Sequence, residues 1–240
     1  MGSSKARARI VTEALLVRRI EYGESDLVLT LLTQKVGKVS ALARGARQST
    51  RRFAGALEPM HTLLVELDER PSAELLTLVS ATLKQPRAKI LSNLPAMEAA
   101  GKALSWVRRA APPRTPEEAP YAVLTRLLDQ LAAAEDNDAV AAALAEAGLS
   151  LLSAFGWGID FERCVRCGRQ ASPEQSASVD AVRGGLICRN CGGARLRISA
   201  AARTRVARAA AGETGVLLSE DSAQTLALVE AALGAHAGIE

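Results

Sequence analysis

The chain has 240 residues, 48% apolar and 23% charged, which is the make-up of a globular protein and excludes a disordered or collagen-like one. Aromatics are only 3%, so the core must be aliphatic. The net charge of +4, with an isoelectric point near 9.1, bears on partners only where the cations are concentrated.

The opening, MGSSKARARI, is basic but lacks the apolar stretch of a signal peptide. The longest nearly apolar run, 147–159, is too short to cross a bilayer and contains glycine and serine. These features predict a cytosolic chain with no membrane partner, a compartment where thiols stay reduced.

The first 85 residues read as strands. Val11 to Tyr22 is rich in β-branched and aliphatic residues and ends at the turn Gly23-Glu24. Leu27 to Thr33 follows, and Gln34-Lys35-Val36-Gly37 connects it to Lys38 to Ala43 as a hairpin. After a Gly- and Arg-rich loop, Met60 to Leu67 and Glu74 to Leu83 are two further strands. Five short strands with one long basic connection predict a small barrel of the oligonucleotide/oligosaccharide-binding (OB) or SH3-like kind, which spacing alone does not separate.

That connection is distinctive in charge. Between Asp26 and Glu58 no acid occurs, while Lys35, Lys38, Arg44, Arg47, Arg51 and Arg52 are spaced by glycines. Solvated loops ordinarily mix signs, so strict exclusion of acids favours a surface laid along a phosphate backbone. Tyr22 and Phe53 are the barrel's few aromatics, too few for base stacking to dominate.

Beyond Pro86 the period becomes helical. Pro95 to Ala110 carries Met97, Ala100, Leu104 and Val107 on one face. A proline-rich break then contains Thr115-Pro116-Glu117-Glu118, which predicts a capping box opening a helix with Tyr121, Leu124, Leu127, Leu128 and Leu131 along one side. Asp138 is the expected cap of the next helix, which ends near Gly156. Ser199 caps one stopped by Gly212, and Ser219 to about Leu233 forms the last. The apolar stripes are those of core faces.

All four cysteines fall in two Cys-x-x-Cys-Gly units, Cys164 with Cys167 and Cys188 with Cys191, separated by 20 residues. Each turn sets two sulfurs on one side of an ion, and two turns complete a tetrahedron. The pattern predicts one structural zinc per chain. A thioredoxin-like device would need a βαβ context, and a catalytic zinc would need an open position. His61 and His236 stand in no His-x-Glu motif of a deaminase. Arg163, Arg166, Arg169, Arg183, Arg189, Arg195, Arg197, Arg203, Arg205 and Arg208 surround the unit. They either touch nucleic acid or offset the charge of a metal–thiolate centre. No Walker motif or nucleophile–base pair occurs, so a binding protein is expected rather than an enzyme.

This order of parts resembles the RecO family of bacterial DNA repair proteins. The resemblance covers nearly the whole length and is carried by EALLVRRIEYGESDLVLTLLTQKVGKVSALARGAR, RRFAGALEPM and CVRCG…GGLICRNCG. It implies an α+β chain with an OB-fold at 1–85 and a helical domain at 86–240, with a zinc insert at about 160–197. It further implies a mediator that binds single- and double-stranded DNA and anneals complementary strands. Partners would be RecR, RecF, RecA and the C-terminal tail of single-stranded-DNA-binding protein (SSB), and the location the nucleoid. The family's DNA contacts fall here on Lys35, Lys38, Arg44, Arg47, Arg51 and Arg52. The alternative reading is a zinc-ribbon module associated with RNA or transcription.

Overall fold

The structure is a computed structural model that describes residues 8–49, 51–53, 55–69, 74–172 and 174–238. Most of the basic opening and Thr50 lie outside these residues. The chain divides into two compact units, Met1–Ser92 with Ala111–Leu128, and Asn93–Ala110 with Asp129–Glu240.

In the first unit, five strands close a barrel: β1 (Ala8–Tyr22), β2 (Asp26–Thr33), β3 (Gly37–Ala43), β4 (Thr62–Glu69) and β5 (Leu76–Gln85). Around the barrel they run β1-β2-β3-β5-β4, and β4 returns to β1. Every pairing is antiparallel except β3 with β5, where Ala41 meets Leu76 and Leu42 meets Thr77. This is the OB fold. Period-2 alternation turns Leu29, Leu31, Val39, Ala41, Leu63, Val65, Leu67, Leu76 and Leu78 into an aliphatic core. A bulge between Leu16 and Arg18 re-aims β1, so the strand serves both β2 and β4.

The fourth strand begins two residues later than the pattern predicts. Met60 has φ 76°, a left-handed conformation that cannot join a ladder, and pairing starts at Thr62. The expected capping box is also not formed. Helix α3 (Glu118–Ala133) starts at Glu118, and Thr115 instead sits in the segment pinned to the barrel. There Arg114 N–H donates to the Lys38 carbonyl at 2.8 Å, and Lys38 bridges Pro113. That pinning outweighs the local cap. The predicted stripe on α3 holds: Tyr121, Leu124, Leu127, Leu128 and Leu131 are all buried. One helical turn, α1 (Ala88–Leu91), has no counterpart in the sequence reading.

The second unit packs α4 (Asn137–Ala154) against α2 (Leu94–Ala110), α5 (Ala200–Ala210) and α6 (Ser219–Ala237). Asp136, not Asp138, caps α4, accepting from Ala139 N–H at 2.7 Å. An acid two residues earlier satisfies the same rule, so composition alone leaves the choice open. Ser199 caps α5 as expected, accepting from Ala202 N–H at 3.1 Å. Between α4 and α5 the chain forms a small sheet, β6 (Asp160–Cys164), β7 (Ala177–Asp180), β8 (Gly185–Ile187) and β9 (Leu196–Ile198), ordered β6-β8-β7-β9.

Candidate nucleic-acid interface and metal centre

The contiguous basic window is divided by the barrel. Lys35 lies in the β2–β3 turn and Lys38 at the start of β3, whereas Arg44, Arg47, Arg51 and Arg52 follow the end of β3. Strand β3 spans about 20 Å at about 3.3 Å per residue, and Lys35 and Arg44 lie beyond its opposite ends.

At the turn, the Lys35 ammonium donates to the Val11 carbonyl at 2.7 Å and remains exposed. Lys38 is half-buried, with its charge acting on Glu117, whose carboxyl is pushed above its ordinary value chiefly by burial. In the long loop, Arg52 donates to the Arg44 carbonyl at 2.6 Å and lies 5.1 Å over the Phe53 ring. Arg47 meets Glu21 at 3.4 Å and the Glu24 carbonyl at 3.3 Å. Arg44, Arg47, Arg51 and Arg52 are all exposed. A local scaffold thus presents four guanidiniums at one end of the barrel. Glu21 lies outside the acid-free window in sequence yet reaches into it in space.

Phe53 is 2% exposed and belongs to the barrel core with Ala56 and Leu57, so it offers no face to a base. Tyr22 is 61% exposed, and Ile20 and Arg18 accompany it on alternate positions of β1. Arg18 is exposed and lies before the acid-free window, so the charge pattern does not single it out. The alternation Arg18-Ile20-Tyr22 was the signal available.

The four cysteines meet in the small sheet. Their sulfurs all lie within 4.8 Å of one another, and Cys167 Sγ is 3.7 Å from Cys188 Sγ. Four thiolates at about 2.3 Å from a central ion have edges of about 3.8 Å. The set could hold one metal ion and is consistent with zinc. Two turns make the geometry: the Cys188 N–H donates to Cys164 Sγ at 3.4 Å, and Gly168 and Gly192, at φ 71° and 101°, allow the backbone to curl around the sulfurs. The Cys188 amide holds the Cys164 thiol down at about 6. Hydrogen bonding to Cys188 and then Cys167 pushes the Cys191 thiol up to about 12. Four crowded sulfurs share protons unless a cation replaces them.

Two family models match the chain. The family model for the Recombination protein O N terminal matches residues 8–87, and that for the Recombination protein O C terminal matches 91–238. A DNA repair protein RecO from Anaeromyxobacter sp. (strain Fw109-5) is 37% identical over 183 residues, 76% of this chain and 70% of that protein. The DNA repair protein RecO of Geobacter sulfurreducens is 31% identical over 227 residues, 93% of this chain and 91% of its own length. That of Myxococcus xanthus is 33% identical over 180 residues, covering 75% and 71%. Among the described residues, no helix is long and apolar enough to cross a membrane.

Proposed function

The chain belongs to the RecO family of DNA repair proteins, and on that premise we propose that it is a recombination mediator that anneals complementary single strands. It helps load RecA onto SSB-coated DNA during gap repair, without catalysing a reaction. The observation that carries this reading is the β3–β4 loop, which holds Arg44, Arg47, Arg51 and Arg52 exposed on a barrel whose Phe53 is withdrawn into the core.

Such a surface holds phosphates without gripping bases. Complementary strands repel one another, and cations bound along both reduce the repulsion while Watson–Crick edges stay free. No nucleotide hydrolysis is required. Residues 1–85 are the DNA-binding domain in this reading, with Lys35 and Lys38 adding contacts at the far end of β3. Residues 86–240 form the helical domain, which takes RecR and the SSB C-terminal tail, with RecF and RecA as further partners. Both single- and double-stranded DNA bind, and the protein works in the cytoplasm at the nucleoid.

Cys164, Cys167, Cys188 and Cys191 hold one structural zinc within 160–197. With all four positions taken by sulfur, the ion has no open site and serves to fix the sheet.

The deciding experiment is annealing of SSB-coated complementary strands without ATP. This chain accelerates annealing, and the Arg51→Ala/Arg52→Ala variant does so poorly. Annealing no faster than with SSB alone rejects the reading.

A further inference from the structure

Cys164 and Cys188, with residues of β7, β8, β9 and the start of α5, line an open cavity of about 800 Å³. Four arginines line it: Arg169, Arg189, Arg197 and Arg203. Other arginines of this unit are matched to carboxylates, Arg183 to Asp180, Arg205 to Asp221 and Arg208 to Glu213. Among the described residues, none of the four that line the cavity has an ion pair.

Arg203 is the telling one. It is 5% exposed, donates one Nη2 bond to the Ser172 carbonyl, and has no hydrogen-bond partner for Nη1. A guanidinium cannot lose its proton at any ordinary pH, so burying one without a counter-charge is costly. The Arg197 guanidinium donates to the Ser176 hydroxyl at 3.0 Å, and Arg197, Arg169 and Arg189 are exposed. Among the described residues, Glu174 is the sole acid in the wall. Against a metal–thiolate centre of formal charge −2 and Glu174, the four guanidiniums leave a net charge of +1, and no sulfur lies within hydrogen-bond reach of Arg203 Nη1.

We propose that this cavity is a phosphate-binding site that receives a phosphodiester of a nucleic-acid strand. It is a second contact, independent of the barrel loop, and rests on the reading of the chain as a DNA-binding protein. Guanidinium forks match phosphate oxygens bidentately, and Nη1 of Arg203 is a donor already desolvated for the purpose. The rest of the wall mixes hydroxyl and amide groups, among them Ser178, Gln170 and Asn190, with the apolar Leu186 and Ile187. Guanidiniums set beside hydroxyl and amide groups suit the phosphates and sugars of a nucleic-acid strand.

The test uses the full chain, with Arg169→Ala/Arg189→Ala as the main variant because both residues are exposed and their loss spares the core. Arg203→Lys, which keeps the charge but removes the fork, is the second. Affinity for a labelled single-stranded oligonucleotide is measured against salt, with metal content and melting temperature checked for each variant. The Arg169/Arg189 variant should flatten the log–log salt slope by about 1.4 units, at about 0.7 per phosphate contact, on strands of any sequence. Arg203→Lys should weaken binding at each salt concentration. An unchanged slope in the Arg169/Arg189 variant, with metal and fold intact, overturns the site.

The Arg51→Ala/Arg52→Ala variant run in parallel separates the two ideas. If it alone loses slope, the cavity is rejected and the barrel reading stands. If the cavity variant alone does, the barrel reading fails and the cavity stands. Inorganic phosphate and an acidic peptide serve as competing probes. Phosphate that raises the melting temperature of the wild type but not of the variant, with DNA slopes equal, assigns free phosphate and overturns the strand. Peptide binding lost in the variant with DNA binding unchanged overturns it likewise.

Discussion

Glu146 accepts the backbone N–H of Val216 at 2.8 Å, from a position in the middle of α4 that is 3% exposed. The same carboxylate takes Gly215 N–H at 2.8 Å and Leu217 N–H at 3.0 Å, so one buried side chain fixes the approach to α6. Bonds to a charged acceptor are stronger than neutral ones, and removing this one strands three donors. Glu146→Ala should therefore cost about 3 kcal/mol, and Glu146→Gln about half, because an amide keeps one acceptor oxygen. Urea unfolding monitored in the helical unit measures both. A loss under about 1 kcal/mol for the alanine variant shows that water can replace the carboxylate.

The Gly37 position offers a sharper contrast. A Cβ there would lie 1.9 Å from the Thr115 carbonyl oxygen, and the backbone has φ 69°. Gly23 has nearly the same conformation, φ 61°, but open space around it. Gly23→Ala should cost about 1 kcal/mol for the left-handed backbone alone. Gly37→Ala should exceed it by at least about 2 kcal/mol, since the segment before α3 must also be displaced. Equal losses at the two sites mean that Thr115 is not held against the barrel.

Zinc is expected at one ion per chain, and Cys188→Ser should release it. Structural metal contributes to folding only where its ligands sit, so the effect should be local. Hydrogen exchange after chelation should quicken in β6 to β9 while β1 to β5 keep their protection. Metal well below one per chain, with four freely titrating thiols, would contradict the assignment. Uniform loss of protection would show instead that the barrel depends on the ion.

His61 supplies a pH dependence. Its Nδ1 accepts the Arg87 N–H at 3.1 Å, and both residues are buried. Burial first, then the Arg87 charge, push the imidazole below its ordinary 6.5, against a smaller opposite pull from Glu58. The folded pKa is thus lower than the unfolded one, so the unfolded chain binds more protons as pH falls below about 6.5. Stability is fully present above that value and declines as pH drops through the folded pKa, by no more than about 1.4 kcal/mol per pH unit. Comparing wild type with His61→Asn at pH 8, 6.5 and 5.5 isolates this contribution from the carboxylates. A wild-type margin that stays constant with pH refutes it.

The strands were legible because Leu29, Leu31, Val39 and Ala41 alternate cleanly and Gly23 and Gly37 mark the turns between them. The cysteine cluster was legible because its spacing is itself the geometry. What the sequence concealed is set by distant contacts. Thr115 looks like a cap, but Lys38 and Pro113 hold its segment on the barrel. Phe53 looks available in a basic loop, but the run through Ala56 and Leu57 turns back into the core. Arg203 is one of the ten arginines around the cysteine unit, and only folding distinguishes it by leaving Nη1 without a partner.

The placement of Lys35 and Arg44 at opposite ends of β3, a strand of about 20 Å, makes the barrel's salt response depend on ligand length. An OB fold covers about 4–16 nucleotides, so the shortest strands reach only one end. Four contacts from Arg44, Arg47, Arg51 and Arg52 give a log–log slope of about −2.8, and adding Lys35 and Lys38 brings it to roughly −4. The barrel contribution should therefore steepen as oligonucleotides lengthen, measured in the Arg169→Ala/Arg189→Ala background to remove the cavity contacts. Arg51→Ala/Arg52→Ala should flatten the slope by about 1.4 units at every length, whereas Lys35→Ala/Lys38→Ala should do so only on long strands. Because Arg52 also braces the loop through the Arg44 carbonyl, Arg51→Ala alone, worth about 0.7, guards against a collapsed loop. Tyr22→Ala should leave the slope unchanged, since stacking releases no counterions, and should cost less than the 1–3 kcal/mol per base of a true stacking platform. A slope independent of length, or a large loss from Tyr22→Ala with the barrel folded, rejects a phosphate-led surface spanning both ends of β3.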